Sequence, residues 1–522
     1  MRFSVSTRLF GRCFITLLAA FLAGVSLHSA AASAQSATHG YNVRRFGAAG
    51  NGKHLDSPAI NRAIAACNAH GGGTVEVPAG IYLCGSIHLK SNINLHLQPG
   101  AEILGAPIAL GAYDPAEPFA GKAYQDGGHT YFHNSLIWGE HLKNVAITGM
   151  GEIDGGGLTT DAFRWAKYHR TAGAKLPGVG DKAIALKLCT NVLIRDVTII
   201  HGGHFGILVT GCNLLTLNNI TIDTDRDGVD IDCCRNTVVS DCRINSPNDD
   251  GLCLKATDAL HRIWPTENVT ITNCQLSGFK EGTLINGKML PSRRENGRIK
   301  LGTESDGGFK NITISNCTFR DCLGLAVEEV DGAVLEDVNI SNITMRNVKD
   351  CPIYVTLGDR DRAPPPVSVG HLRHILISNI LATNVGSMSG IQITGLPHHD
   401  VRDIRLDNIR LIFNGGGTRK DARRNPPELN RGYPGPTHIG VMPSYGVFVR
   451  HARHIELSNI KVSFKKADYR PAMICKDVHG LQINHFEAQL AKGVTAAHFV
   501  HVTHLYIRNS PVLKNQNPAA KK

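Results

Sequence analysis

Aromatic side chains are scarce: Phe, Trp and Tyr make up 6% of the 522 residues, and only three are Trp. The interior must therefore be filled by aliphatic groups. No C-x-x-C pair occurs, which argues against a zinc ribbon. No long Lys/Arg run occurs. Basic residues come as scattered pairs such as Arg293-Arg294 and Arg423-Arg424, so nucleic acid is not expected as a partner. Beyond residue 34 no apolar stretch is long enough to cross a bilayer, which excludes a multispan membrane protein. Metal-ligand spacing is also wanting. His201 and His204 lack a third ligand. Asp223-x-Asp225-x-Asp227-Gly228 opens like an EF-hand loop, but Cys234 stands where the closing Glu belongs. No metal and no cofactor are expected.

Glycine, by contrast, is plentiful at 55 residues, which suits many short strands and turns. The N-terminus has Arg2, Arg8 and Arg12, an apolar run over 14–27, then Ala32-Ser33-Ala34. This is the pattern of a signal peptide over 1–34, so export to the periplasm or the outside is expected, with no membrane association afterwards. Its removal takes the net charge from +11 to +8. A basic balance permits an acidic polysaccharide without selecting one. Thirteen of the 14 Cys lie beyond the signal, an odd number that cannot all pair; Cys67 with Cys84 is the candidate bridge.

Internal repetition organises the rest. Alternating β-prone residues, then Asn or Asp, then an aliphatic or Cys recur at 192–199 (VLIRDVTI), 215–222 (LTLNNITI) and 237–244 (TVVSDCRI). The phrase returns at 269–276 and 312–319, and through to 455–462. The anchors are Asp196, Asn219, Asp241, Asn273, Asn316, Asn342, Asn379, Asn408 and Asn459; the first three are 22–23 residues apart. A period-2 pattern repeated this way predicts an all-β fold, a single right-handed parallel β-helix from 35 to 522. The anchor Asn side chains should bond from coil to coil as a ladder. Cys242, Cys274 and Cys317, one residue after the anchor, should stack in the interior. An open stack needs a cap. Residues 57–68 form the best helix candidate, with Ser57 as N-cap and Pro58 at the first helical position, in a cap region of about 41–105. Insertions at about 154–181, 258–267, 286–300, 358–371 and 414–444 should shape a binding face.

The densest acidic segment, 223–232 (DTDRDGVDID), is followed one coil later by 248–255 (NDDGLCLK). Asp227 and Asp249 both sit eight residues after their anchors, and aligning Gly228 with Gly251 sets Asp227 level with Asp250. The three carboxylates should meet on adjacent coils and raise one another's proton affinity. One protonated acid beside one ionised base is what glycoside hydrolysis requires.

At these residues the chain resembles glycoside hydrolase family 28, the polygalacturonases and rhamnogalacturonan hydrolases, which are right-handed pectin lyase-like β-helices that invert at the anomeric carbon. The segment 71–101 (GGGTVEVPAGIY to PGA) resembles the N-terminal cap region of pectin-active β-helices. Asp225-Arg226-Asp227-Gly228 matches the family's Asn-x-Asp-Gly with Asp in place of Asn. Asp249-Asp250 matches its Asp-Asp pair, and 302–308 (GTESDGG) its Gly-Ser-Glu-x-x-Gly-Gly. The resemblance implies Asp249 as general acid, and Asp227 and Asp250 as the groups activating water. It implies an enzyme that cleaves a pectic or related plant carbohydrate; a monomer is expected, and the long insertions, by blocking one cleft end, should favour exo action.

Two departures stand out. Asn296-Gly297-Arg298 replaces the family's Gly-His-Gly, and Ala326-Val327-Glu328 stands where an Arg-x-Lys substrate clamp is expected. Arg298-Ile299-Lys300 reads Arg-x-Lys on an earlier coil, either a replacement for that charge or a coincidence. Candidate substrate-binding residues are Lys255, Arg298, Lys300, Glu304, Glu328, Glu281 and His204. Glu328 is expected either to pair with Lys255 across coils or to bond sugar hydroxyls, and Glu281 to share the frame of Asp227 and Asp250. A lyase or epimerase on the same fold, and a non-catalytic carbohydrate-binding β-helix, are the competing readings.

Overall fold

Three stacks of short parallel strands wind through the chain in a computed structural model that describes residues 40–119, 127–158, 181–362 and 368–516. The segment 1–34, expected to be a signal peptide, and most of the insertion at 154–181 lie outside the described residues. In the first stack, Lys182–Lys187, Phe205–Thr210, Asp227–Asp232, Leu252–Ala256, Ile299–Ser305 and Leu325–Glu329 pair in succession. The second runs through Thr190–Arg195, Asn213–Asn218, Arg235–Ser240, Thr266–Thr272 and Phe309–Ser315. The third comprises three-residue strands such as Thr198–Ile200, Thr221–Asp223 and Arg243–Asn245.

Register explains the core. Ile184, Ile207, Val229, Leu252 and Ile299 stand above one another in the first stack, and Ile194, Leu217, Val239, Ile271 and Ile314 in the second. All are buried. Each such burial contributes about 1.5–3 kcal/mol, and a one-residue slip would turn the whole column outward. Cys242, Cys274 and Cys317 join the same interior.

The predicted ladder is present. Every anchor from Asp196 to Asn459 adopts the left-handed conformation, for example Asn219 at φ 51° and Asn342 at φ 57°. Asn219 Nδ2 donates to Asp196 Oδ1 at 2.9 Å, Asn342 to Asn316 Oδ1 at 3.1 Å and Asn379 to Asn342 Oδ1 at 3.0 Å. Asn suits the position because its short amide tolerates positive φ and reaches the next coil. The sequence reading missed a second ladder, in which Asn144 donates to Asn92, Asn191 to Asn144, Asn268 to Asn236 and Asn311 to Asn268.

The helix Ser57–Ala69 closes the N-terminal end, burying Ala59, Ile60, Ala63, Ile64 and Cys67 on the core. Its cap differs from expectation. Asp56 is the N-cap residue, and its carboxylate accepts from Ala49 N (2.7 Å) and Gly50 N (2.9 Å) instead of capping the helix. Ser57 is the first helical residue, and its Oγ accepts from Gly85 N. Cys67 and Cys84 are both buried and free, so the candidate bridge is not formed. They sit within the continuous apolar core, which holds each as a small hydrophobe.

Candidate active site

Asp227 opens the strand Asp227–Asp232, and Asp249-Asp250 precede Leu252–Ala256 on the next coil. Glycine makes this approach feasible. A Cβ on Gly228 would lie 2.5 Å from Gly251 O, and one on Gly251 would lie 3.0 Å from Gly297 O. One carboxylate oxygen each of Asp227 and Asp250 lie within 4.8 Å of one another, with Cys253 Sγ beside them. Arg226 Nη2 spans the other side, 3.0 Å from Asp249 Oδ2 and 3.6 Å from Asp227 Oδ2.

The environments of these carboxyls differ. Burial, then the neighbouring carboxylates of Asp249 and Asp230, push the Asp227 pKa well up, against Arg226 and Lys255. Asp250 is equally buried, but Arg298, Lys300 and Lys255 overcome that penalty and hold it below the usual carboxylate range. Arg298 Nε donates to Asp250 Oδ1 at 2.6 Å, and Lys300 Nζ lies 3.3 Å from Oδ2. Asp249 is the most open of the three, with its side chain 32% exposed.

Asp249 and Asp250 face a cavity of about 550 Å³ whose walls include Asn296, Arg298, Lys349 and Tyr433. Its two flanks are covered. Towards the N-terminal coils, Phe132 packs on Ala185, Phe205 and Leu208 of the outer sheet face, and His129 Nε2 sits 3.4 Å from Asp230 Oδ2. Towards the C-terminal coils, Ile439 and Met442 pack on Ala326, Tyr354 and Phe448. Arg450 ties down that segment through Pro426 O (2.9 Å) and Pro427 O (3.0 Å). Tyr433 Oη accepts from Lys300 (3.0 Å) and Thr303 (3.1 Å).

Several candidate substrate residues have other positions. His204 is wholly buried behind the trio; its ring accepts from Arg226 Nη1 at 2.6 Å, so it fixes the guanidinium that touches Asp249. Lys255 pairs with Glu304 at 2.8 Å, not with Glu328. The strand Ile299–Ser305 intervenes, and its irregular register sets Ser305 opposite Ala256. Arg360 continues this buried chain from Glu304 (3.4 Å) to Asp331. Glu328 is fully buried 3.7 Å from Lys300, so it presents nothing to a sugar. Lys300 is 1% exposed and is a partner of Asp250, while Arg298 reaches both Asp250 and the cavity. Glu281 lies near Asp225, His201 and Asp223, away from the described cavity lining; burial and then Asp225 raise its pKa to about 7, against His201. The clamp position fails for a plain reason: Ala326 is roofed by Ile439 and Met442.

The family model described as rhamnogalacturonase A/epimerase, pectate lyase-like, matches residues 40–253. A probable polygalacturonase of Vitis vinifera is 26% identical over 391 residues, 72% of this chain and 74% of the relative. An exopolygalacturonase of Platanus acerifolia is 25% identical over 403 residues, 73% of this chain and 93% of the relative. The family 28 exopolygalacturonase of Yersinia enterocolitica superposes with a TM-score of 0.59 at 20% identity, over 90% of this chain and 78% of that one. The chain is similar to the polygalacturonases of glycoside hydrolase family 28 at about 25% identity, as a divergent relative. It is a glycoside hydrolase on a right-handed parallel β-helix.

Within this glycoside hydrolase, sequence reasoning missed Arg226, His129, Asp230 and Tyr433. Arg226 stood in plain view as the spacer of the Asp-x-Asp motif, and a basic residue inside an acidic run was the available signal. Tyr433 carried none, because it meets Lys300 from 133 residues away.

Proposed function

We propose that the mature chain from residue 35 is an exported, inverting hydrolase of a pectic or related plant carbohydrate, releasing short units from a chain end. The observation that carries this reading is a cluster of three carboxyls, two of them on the cavity wall, in which two have opposed proton affinities: Asp250 ionised beside Arg298, and Asp227 favouring its proton. Asp249, the most accessible, protonates the glycosidic oxygen as the bond to the anomeric carbon breaks. Water attacks that carbon from the other face and gives its proton to Asp250. Asp227 orients the water and exchanges protons with Asp249. Separating the two affinities is the general way a pair of carboxyls divides acid and base work. The covers formed by Phe132 on one flank and by Ile439 and Met442 on the other favour a short bound segment over a threaded polymer.

The test is a digest of a pectic glycan panel followed by NMR during the first turnovers. Inverted anomers and early mono- or disaccharides are expected. Retained anomers would sink the mechanism, early mid-length oligomers the exo mode, and unsaturated uronide products would replace hydrolysis by elimination.

A further inference from the structure

Arg226 is the spacer of Asp225-Arg226-Asp227-Gly228, a position that the Asn-x-Asp-Gly motif leaves open. Its side chain is buried and lies outside the described lining of the cavity. One end of the guanidinium is fixed. Nη1 donates to the His204 ring at 2.6 Å, and that ring packs edge-on against Phe205 with 4.4 Å between ring centres. The other end is shared. Nη2 donates to Asp249 Oδ2 at 3.0 Å and lies 3.6 Å from Asp227 Oδ2. The backbones are tied in the same place, since Ser246 Oγ is 2.5 Å from Arg226 O and 3.0 Å from Asp249 O. Asp249 Oδ1 accepts from Asp250 N at 3.1 Å. Both oxygens of Asp249 are thus acceptors, which suits a carboxylate. Asp227 differs: burial first, then the charges of Asp249 and Asp230, favour its protonated form, against Arg226 and Lys255.

We propose that Arg226 is a positioning residue that decides which of Asp227 and Asp249 holds their shared proton between turnovers, and that keeps the two carboxyls at the spacing over which the proton passes. This inference rests on the hydrolase reading above, in which Asp249 is the acid, and deepens it. A guanidinium that donates to Asp249 and only approaches Asp227 stabilises charge on Asp249, so the proton rests on Asp227. In each turnover one proton leaves Asp227 and joins Asp249, and the negative charge moves the other way. Nη2 faces both oxygens, so the charge stays beside the guanidinium throughout and is never left unpaired in a buried site. A lysine could supply the charge, but one ammonium on a flexible stem lacks the fork that holds His204 while spanning both carboxyls. The other charged groups facing the pair are Asp230 with His129 beside it, His204 on the preceding coil, Lys255, and Asp250 with Arg298 and Lys300. Across the cavity stand Arg293, Arg294, Lys349, Asp350 and His438. All of these are common to the wild type and to variants at residue 226, so a difference between their pH profiles reports on Arg226.

The experiment compares the wild type with Arg226→Gln and Arg226→Lys, with trigalacturonate as the probe and thermal melts to check the fold. Activity is read as kcat and KM across pH. The infrared band of protonated carboxyls is followed over the same range, its Asp227 component being the one lost in Asp227→Asn. Arg226→Gln removes the positive charge, so the alkaline limb of kcat and the pH at which that band disappears should both rise by about one unit, a tenfold tighter hold on the proton. Arg226→Lys should leave both near their wild-type values. The maximum kcat should fall about tenfold in both variants with KM unchanged, because the residue positions the carboxyls without touching substrate. A limb and band that stay in place in a folded Arg226→Gln protein overturn the proton assignment, and an equal shift in Arg226→Lys overturns charge as its cause. A raised KM at unchanged kcat would make Arg226 a binding residue instead. Should Arg226→Gln not fold, Arg226→Lys decides alone: a wild-type maximum kcat overturns the positioning role, and a lowered one with the limb in place supports it. If the band shifts as expected but the wild type cleaves neither trigalacturonate nor any glycan of the pectic panel, the Arg226 assignment stands and the hydrolase reading fails.

Discussion

Arg298 Nε sits 2.6 Å from Asp250 Oδ1, in the segment where family 28 has Gly-His-Gly. This contact supplies a permanent positive charge at a carboxylate that burial alone would neutralise. A guanidinium cannot give up its proton, so Asp250 stays ionised over a wide pH range. The histidine implied by the resemblance is therefore missing without Asp250 losing its charge, and Arg298 is unavailable as a free substrate clamp for the same reason.

Asp249 tests the acid assignment. Asp249→Asn keeps the size and polarity of a side chain that is 32% exposed, so the fold should melt as the wild type does. Hydrolysis should fall by roughly 100- to 10,000-fold, the usual contribution of a general acid. Release of reducing ends measures it, and wild-type-like turnover would remove Asp249 from the mechanism.

Asp227 makes a prediction about pH and stability. Its folded pKa is raised, so the wild type is most stable below the unfolded carboxylate pKa and loses stability as pH rises from there towards the folded value. Asp227→Asn removes a charge that burial resists. The variant should therefore gain in melting temperature relative to the wild type as pH rises above the ordinary carboxylate range. A stability difference independent of pH would mean that Asp227 does not titrate in that window.

The Asn ladder separates two causes at one position. Asn342 has φ 57° and donates to Asn316 Oδ1 at 3.1 Å. Asn342→Gly removes the ladder bond but keeps the backbone relaxed, whereas Asn342→Ala loses both. Urea unfolding should show Ala as the more damaging change by about 1 kcal/mol. Equal losses would assign the whole effect to the side-chain bond.

Much of this molecule was legible from residues alone because its repeat is local. An Asn or Asp at each turn sets a left-handed residue, alternation sets the inward face, and coil length then stacks Asp227 with Asp249 and Asp250. The cap helix was legible for the same reason, although its capping residue was not: Asp56 is drawn instead to Ala49 N and Gly50 N.

What depended on tertiary structure is what surrounds the trio. Lys255 meets Glu304 and not Glu328 because a register irregularity intervenes. His204 turns inward to hold Arg226. Tyr433 and the segment through Met442 fold back over the outer sheet face, roofing Ala326 and bounding the cavity. The sequence by itself determined the coil and its column of carboxyls, since those follow from spacing within one period. Which charges pair, and which face stays open, was decided only when insertions distant in the chain packed across several coils, where no local period governs.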